Sequence, residues 1–143
     1  MAPKADPALV QRLAAVPIFS SLGEKALKSI ASDAKERRFG AGEKLVSKGD
    51  KGVGFFLILD GHVEVRNGAT VLATLGPSQF FGEMALLDDQ PRTADVVAKT
   101  AGNCLVVSRW EFWGYLSKEP ETIRLLLQET VRRLRTPVPG FSE

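Results

Sequence analysis

The chain has 143 residues, 44% of them hydrophobic, and its 19 basic and 17 acidic residues leave a net charge of +2. A chain of this size buries about 68–70% of its unfolded surface in one domain, so a core forms without disulfide staples. The charges are interspersed along most of its length, which excludes a broad electrostatic footprint for nucleic acid, and the single Cys104 excludes an intrachain disulfide and fits a reducing cytoplasm.

The opening stretch "MAPKADPALVQRLAAV" has no signal-peptide h-region, and no apolar run reaches the roughly 20 residues of a membrane-spanning helix. A soluble, cytoplasmic protein, or a soluble piece of a larger one, is expected. Helical periodicity runs over 6–36, with Leu9, Leu13 and Val16 on one face, then Leu27 and Ile30 on another after the break "VPIFSSLGE". Ser20 or Ser21 is the expected cap of the second helix, because Glu24 follows Ser21 by three residues as in a capping box.

Over 38–109 the pattern changes to short β-rich runs divided by glycine: "KLVSK", "FFLILD", "HVEVR", "ATVLATL", "ADVVAKT" and "NCLVVS". Asn67-Gly68 predicts a two-residue type I′ hairpin turn, which places Val63, Val65 and Leu72 on one face and Glu64 and Arg66 on the other. Many short strands interrupted by one helical segment, "GEMALL", predict a sandwich or jelly-roll-like barrel. Helical patterning returns in "RWEFWGYLSK" and "PETIRLLLQETVRRLR", where Pro120 suits a first turn. In the last helix Ile123, Leu126, Leu127, Val131 and Leu134 form an apolar stripe that is expected to pack. The fold class is therefore mainly β with flanking helices (α+β), a jelly-roll-like β-roll. One domain is expected, with an N-terminal helical segment (1–37), the β-roll (38–109), C-terminal hinge and lid helices (110–136) and an irregular tail (137–143).

The stretch "FGEMALLDDQPRTADV", 81–96, carries the chemistry. If Gly82 opens a helix, the amides of Glu83, Met84 and Ala85 lack intrahelical acceptors and form an anion seat. The helix is short because "DDQP" is turn chemistry, and a strand returning from Thr93 carries Arg92 back past the helix start. A planar guanidinium matches two phosphate oxygens. Glu83 would be repelled by that phosphate, so it must serve another part of the ligand. A neighbouring sugar hydroxyl would donate to it, and the ligand read from the residues is a phosphorylated ribose.

"FFGEMALL" followed by "PRTADV" resembles the phosphate-binding cassette of cyclic nucleotide-binding domains, found in kinase regulatory subunits, cyclic-nucleotide-gated channels and bacterial catabolite activator proteins. "FGAGEKLVSKGDKGVGFFLILDGHVEV" is similar to that family's early strands and glycine corners, so the resemblance spans nearly the whole chain. It implies a β-roll (double-stranded β-helix) whose ligand, cAMP or cGMP, is held by Phe81, Gly82, Glu83, Met84, Ala85, Arg92 and Thr93. Arg92 would pair with the cyclic phosphate, backbone amides near Gly82, Met84 and Ala85 would complete its cradle, and Glu83 would accept from the ribose 2′-hydroxyl. Thr93 would touch the phosphate or, in cGMP-selective members, the guanine. Val53 and Gly54 depart from the pattern, standing where relatives often carry acidic residues.

Other readings weigh less. His62, the only histidine, is read as a surface residue, and without a His and carboxylate cluster neither a metal site nor phosphodiesterase chemistry is expected. Met84, Leu86 and Leu87 are read as core side chains, Trp110, Phe112, Trp113 and Tyr115 as core or hinge packing, and Arg132, Arg133 and Arg135 as a solvated helix end. The expectation is a sensor domain without catalytic activity or cofactor, with a cyclic mononucleotide as partner and no DNA contact, since no helix-turn-helix follows the last helix. A fold that keeps the architecture for protein contacts and binds no nucleotide is the alternative. Met1 and the helical brackets favour a stand-alone protein.

Overall fold

The computed structural model describes residues 7–16, 19–20, 22–51, 54–82, 86 and 91–135, with backbone only at 129, 133 and 134. These divide into two compact units, one over Ala34–Arg109 that holds the strands and one that holds the helices.

Eight strands make up the first unit: β1 (Lys35–Phe39), β2 (Lys44–Val46), β3 (Gly54–Asp60), β4 (Val63–Asn67), β5 (Thr70–Leu75), β6 (Phe80–Phe81), β7 (Asp95–Ala98) and β8 (Gly102–Ser108). They form two four-stranded antiparallel sheets, in the orders β1-β8-β3-β6 and β2-β7-β4-β5. A core lies between the sheets. Phe39, Phe56, Ile58 and Cys104 enter it from the first sheet, and Leu45, Val46, Val63, Val96 and Ala98 from the second. Alternate residues of β3 and β8, among them Phe55, Leu57, Leu105 and Val107, are also buried. Burial on both faces explains why "FFLIL" reads as an unbroken apolar run without the alternation of a half-exposed strand.

Each of the six runs marked in the sequence contains a strand, and two strands have no such signal. In β1 the residues "KERR" look helical and solvated, and only Phe39 is buried. Its pairing with β8 ends the preceding helix at Asp33 and moves Lys35 and Glu36 out of the predicted helical segment. Strand β6 has only two residues, too few for any periodicity.

The hairpin differs from expectation by one residue. Asn67 pairs with Thr70, leaving Gly68 and Ala69 as the turn. Gly68 has φ 64°, while Asn67 and Ala69 are not among the residues with positive φ. That pattern fits a type II′ turn with glycine first, whereas a type I′ turn needs two positive values. The register then slips between Val65, opposite Ala73, and Arg66, opposite Val71. Leu72 is the extra residue of a bulge and is 57% exposed, while Val63 is fully buried and Val65 packs on the core. A one-residue shift reverses side-chain direction, which is why Leu72 leaves the face predicted for it. Glu64 and Arg66 pair with each other as expected for two residues on one face.

In the second unit α1 (Pro7–Ala14) and α2 (Glu24–Asp33) pack together through Leu9, Val10 and Leu13 and through Ala26, Leu27, Ile30 and Ala31. The α2 cap is Gly23, whose carbonyl accepts from the Leu27 amide at 3.0 Å. The helix starts at Glu24 as its capping position requires, and Ser21, the residue of the expected capping box, lies outside the described residues. Of the four aromatics in and beside α3 (Arg109–Leu116), only Phe112 is fully buried, with its ring 5.8 Å from that of Phe19, whereas Trp110 is 77% exposed. Pro120 does begin α4 (Pro120–Arg135), following Glu119, whose carbonyl accepts the first amides. The apolar stripe of α4 splits: Leu126 is buried beside Thr122, while Leu127 and Val131 are exposed. Residues four apart share a face, so Thr122 and Leu126 define the packed side and Ile123, Leu127 and Val131 lie round from it; the Leu134 side chain is outside the described residues. No described helix is long and apolar enough to cross a membrane.

Two measurements check this packing. Leu72→Thr should change unfolding stability by no more than about 0.5 kcal/mol, as for an ordinary surface position, while Ile58→Ala in the inter-sheet core should cost about 2–5 kcal/mol in urea titrations. A large loss at Leu72 would contradict the bulge. The second concerns Cys104, whose thiol is pushed up from its usual 9.0 to about 11, mainly by burial. Because the folded state holds that proton more tightly, the contribution is full below pH 9 and is lost as pH rises toward 11, about 3 kcal/mol at most. Stability measured from pH 8 to 11 should therefore fall more steeply for the wild type than for Cys104→Ala.

Candidate anion-binding site

Arg92 stands just before β7, where Pro91 bridges to Lys51 across an isolated antiparallel pair. Its amide donates to the Asp50 carbonyl at 2.7 Å, and its own carbonyl accepts from the Gly49 amide at 2.9 Å. These reciprocal bonds tie the residue to the tight turn after β2, itself closed by the Asp50 amide donating to the Ser47 carbonyl. The main chain at Arg92 is thereby fixed before any ligand is considered.

The side chain is fixed as well. Nη2 donates to the Gly54 carbonyl at 2.7 Å, at the first residue of β3. The guanidinium carbon lies 6.0 Å from the centre of the Phe56 ring, within cation–π range. Phe56 in turn stacks on Phe81, its cross-strand partner in β6, with ring centres 4.6 Å apart and planes inclined by 7°. Gly82 closes the other side. It adopts φ 85°, and a Cβ there would come within 2.7 Å of the Gly54 carbonyl and 2.8 Å of Arg92 Nη1. Only glycine satisfies both the left-handed backbone and this approach.

Burial alone pushes the Arg92 pKa down from its usual value. Arginine nonetheless stays protonated, and only one of its five N–H donors goes to Gly54. Among the described residues no carboxylate forms an ion pair with it; the groups around the guanidinium are a neutral carbonyl, a ring face and glycine backbone. A cation held partly out of water by neutral groups is stabilised by an incoming anion far more than a solvated surface arginine would be.

Of the residues predicted from sequence, the structure brings Phe81, Gly82 and Arg92 together and leaves Thr93 exposed beside them. Glu83, Met84 and Ala85 lie outside the described residues, as does most of the expected short helix; Leu86 is described and fully buried, in keeping with a core role. Gly54 and Phe56 were missed as site residues. Gly54 contributes only its carbonyl, which leaves no side-chain signal, and Phe56 is hidden in the apolar run of β3.

The chain is similar to known proteins over most of its length. The family model described as "Cyclic nucleotide-binding domain" matches residues 36–119. A cyclic nucleotide-gated potassium channel from Mesorhizobium japonicum is 34% identical over 86% of this chain and 34% of its own length. A cAMP-dependent protein kinase regulatory subunit from Yarrowia lipolytica is 36% identical over 87% of this chain and 30% of its own, and a cGMP-dependent protein kinase from Toxoplasma gondii is 35% identical over 85% and 12%. The chain thus spans about a third or less of these relatives. Among solved structures, the N-terminal domain of a transcriptional regulator from Streptomyces coelicolor A3(2) superposes with a TM-score of 0.82 at 28% identity, covering 92% of this chain and 98% of that one. The paired sheets, the glycine-flanked arginine and a family match over most of the strand-bearing unit lead to one assignment: the chain belongs to the cyclic nucleotide-binding domain family.

Proposed function

We propose that this chain binds a cyclic nucleoside monophosphate, cAMP or cGMP, and acts as a ligand sensor without catalytic activity of its own. The observation that carries this reading is Arg92, an immobilised guanidinium with donors that no described residue takes, set against Gly82 and surrounded among the described residues by uncharged groups. In the proposed complex Arg92 takes the exocyclic phosphate oxygens and the amides at Gly82, Met84 and Ala85 complete the cradle. Phe81 positions the start of the cassette, Thr93 offers its hydroxyl beside the phosphate, and Glu83 accepts from the ribose 2′-hydroxyl. A scaffold that binds no nucleotide would have no use for a cation held in this way. The relatives' names include both cAMP and cGMP, so the base is left open.

Binding is proposed to be transmitted by a shift in the disposition of α3 and α4. A ligand moves such an equilibrium only by its difference in affinity for the two states, and reversing a 1:99 ratio takes about 5.5 kcal/mol.

Titration calorimetry with cAMP and cGMP tests the reading directly, and binding of neither would refute it. Arg92→Ala should lose about 2–5 kcal/mol of binding, by analogy with truncating one partner of a buried charge pair; an affinity equal to that of the wild type would remove Arg92 from the site. The proposed role of Glu83 has its own check. 2′-Deoxy-cAMP should bind more weakly than cAMP to the wild type, and the difference should shrink in Glu83→Ala. The same penalty in both proteins would assign Glu83 some other task.

A further inference from the structure

We infer that Phe56 is a positioning residue for Arg92, holding the guanidinium in the plane and place in which it meets the ligand phosphate; this rests on reading Arg92 as the phosphate ligand. Among the described residues a single hydrogen bond, from Nη2 to the Gly54 carbonyl, fixes one point of the guanidinium and by itself leaves the group free to pivot about it. The Phe56 ring, with the guanidinium carbon 6.0 Å from its centre, supplies a second restraint, and the backbone of Gly82 supplies a third. Of these, only the ring attracts the cation without consuming an N–H donor, because it acts through its negative face. The donors that no described residue takes stay available to an anion.

Phe56 is itself immobile enough for this task. It is 3% exposed, pairs across β3 with Val106 of β8 and with Phe81 of β6, and stacks on the Phe81 ring. Phe81 directly precedes Gly82, so one aromatic stack sets two sides of the seat, the guanidinium and the glycine backbone that opens the cassette. A carboxylate in place of the ring would hold Arg92 more strongly and would compete with the phosphate for the same charge. The ring orients the cation and leaves its charge in place.

The test is calorimetric affinity for cAMP in the full chain, with thermal unfolding measured in parallel. Phe56→Met keeps an apolar side chain of adaptable shape and removes the ring; it should bind cAMP about tenfold more weakly than the wild type. Because a core change can also loosen the fold, the deciding variant carries pentafluorophenylalanine at position 56. It preserves the ring's shape and reverses its quadrupole, so the face turns from attracting a cation to repelling it. Because the reversed quadrupole also favours stacking on the Phe81 ring, we expect melting no lower than that of the wild type, with about tenfold or greater loss of affinity. Wild-type affinity in the pentafluoro variant would overturn the inference and reduce Phe56 to a core residue, while leaving the functional reading intact. A wild-type protein that binds neither cyclic nucleotide would instead overturn the functional reading, and the inference with it.

Discussion

A positive charge confined among neutral groups is the constraint around which the strand-bearing unit is arranged. The Arg92 guanidinium costs free energy where it sits, because burial disfavours the charged form, and the fold compensates with a carbonyl, an aromatic face and a close glycine backbone rather than with a described carboxylate. That choice matters for function. A carboxylate partner would stabilise the empty site and would have to be displaced or shared on binding. Neutral partners orient the cation and, in the proposed complex, would leave the phosphate to complete it.

Each of the supporting elements follows from that need. Strand β3 brings both the Gly54 carbonyl and the Phe56 ring, and it is buried on both faces, so neither group has room to shift. The two-residue strand β6 is too short to add much sheet stability, yet its pairing sets Phe81 against Phe56 and delivers Gly82 to the guanidinium. The turn after β2 exchanges two backbone hydrogen bonds with Arg92. The turn after β2, strand β3 and the segment from β6 to Gly82 thus converge on one residue, its main chain and its side chain, and each uses backbone or aromatic groups that carry no formal charge.

The helical unit shows where apolar patterning stops being sufficient. Leu126 and Leu127 are adjacent and equally hydrophobic, yet one is buried and the other 61% exposed. Helix geometry separates them by about 100°, and packing selects the face that Thr122 shares with Leu126. The same logic applies to Leu72, whose exposure follows from a bulge that shifts register by one residue.

The residues by themselves determined six of the eight strands and the order of the four helices, because burial on both faces writes itself as an apolar run, while β1 and β6 left no such mark. They also singled out Gly82, Pro91 and Arg92, which are local in sequence and each have a local physical reason. What only the tertiary structure decided is how Arg92 is held. Its Gly54 partner is 38 residues away, and neither a backbone carbonyl nor a ring inside a continuous apolar strand announces a role until strand pairing brings it alongside. Short-range patterns report backbone preference and burial; the placement of a charge depends on which neutral groups the sheet register sets beside it.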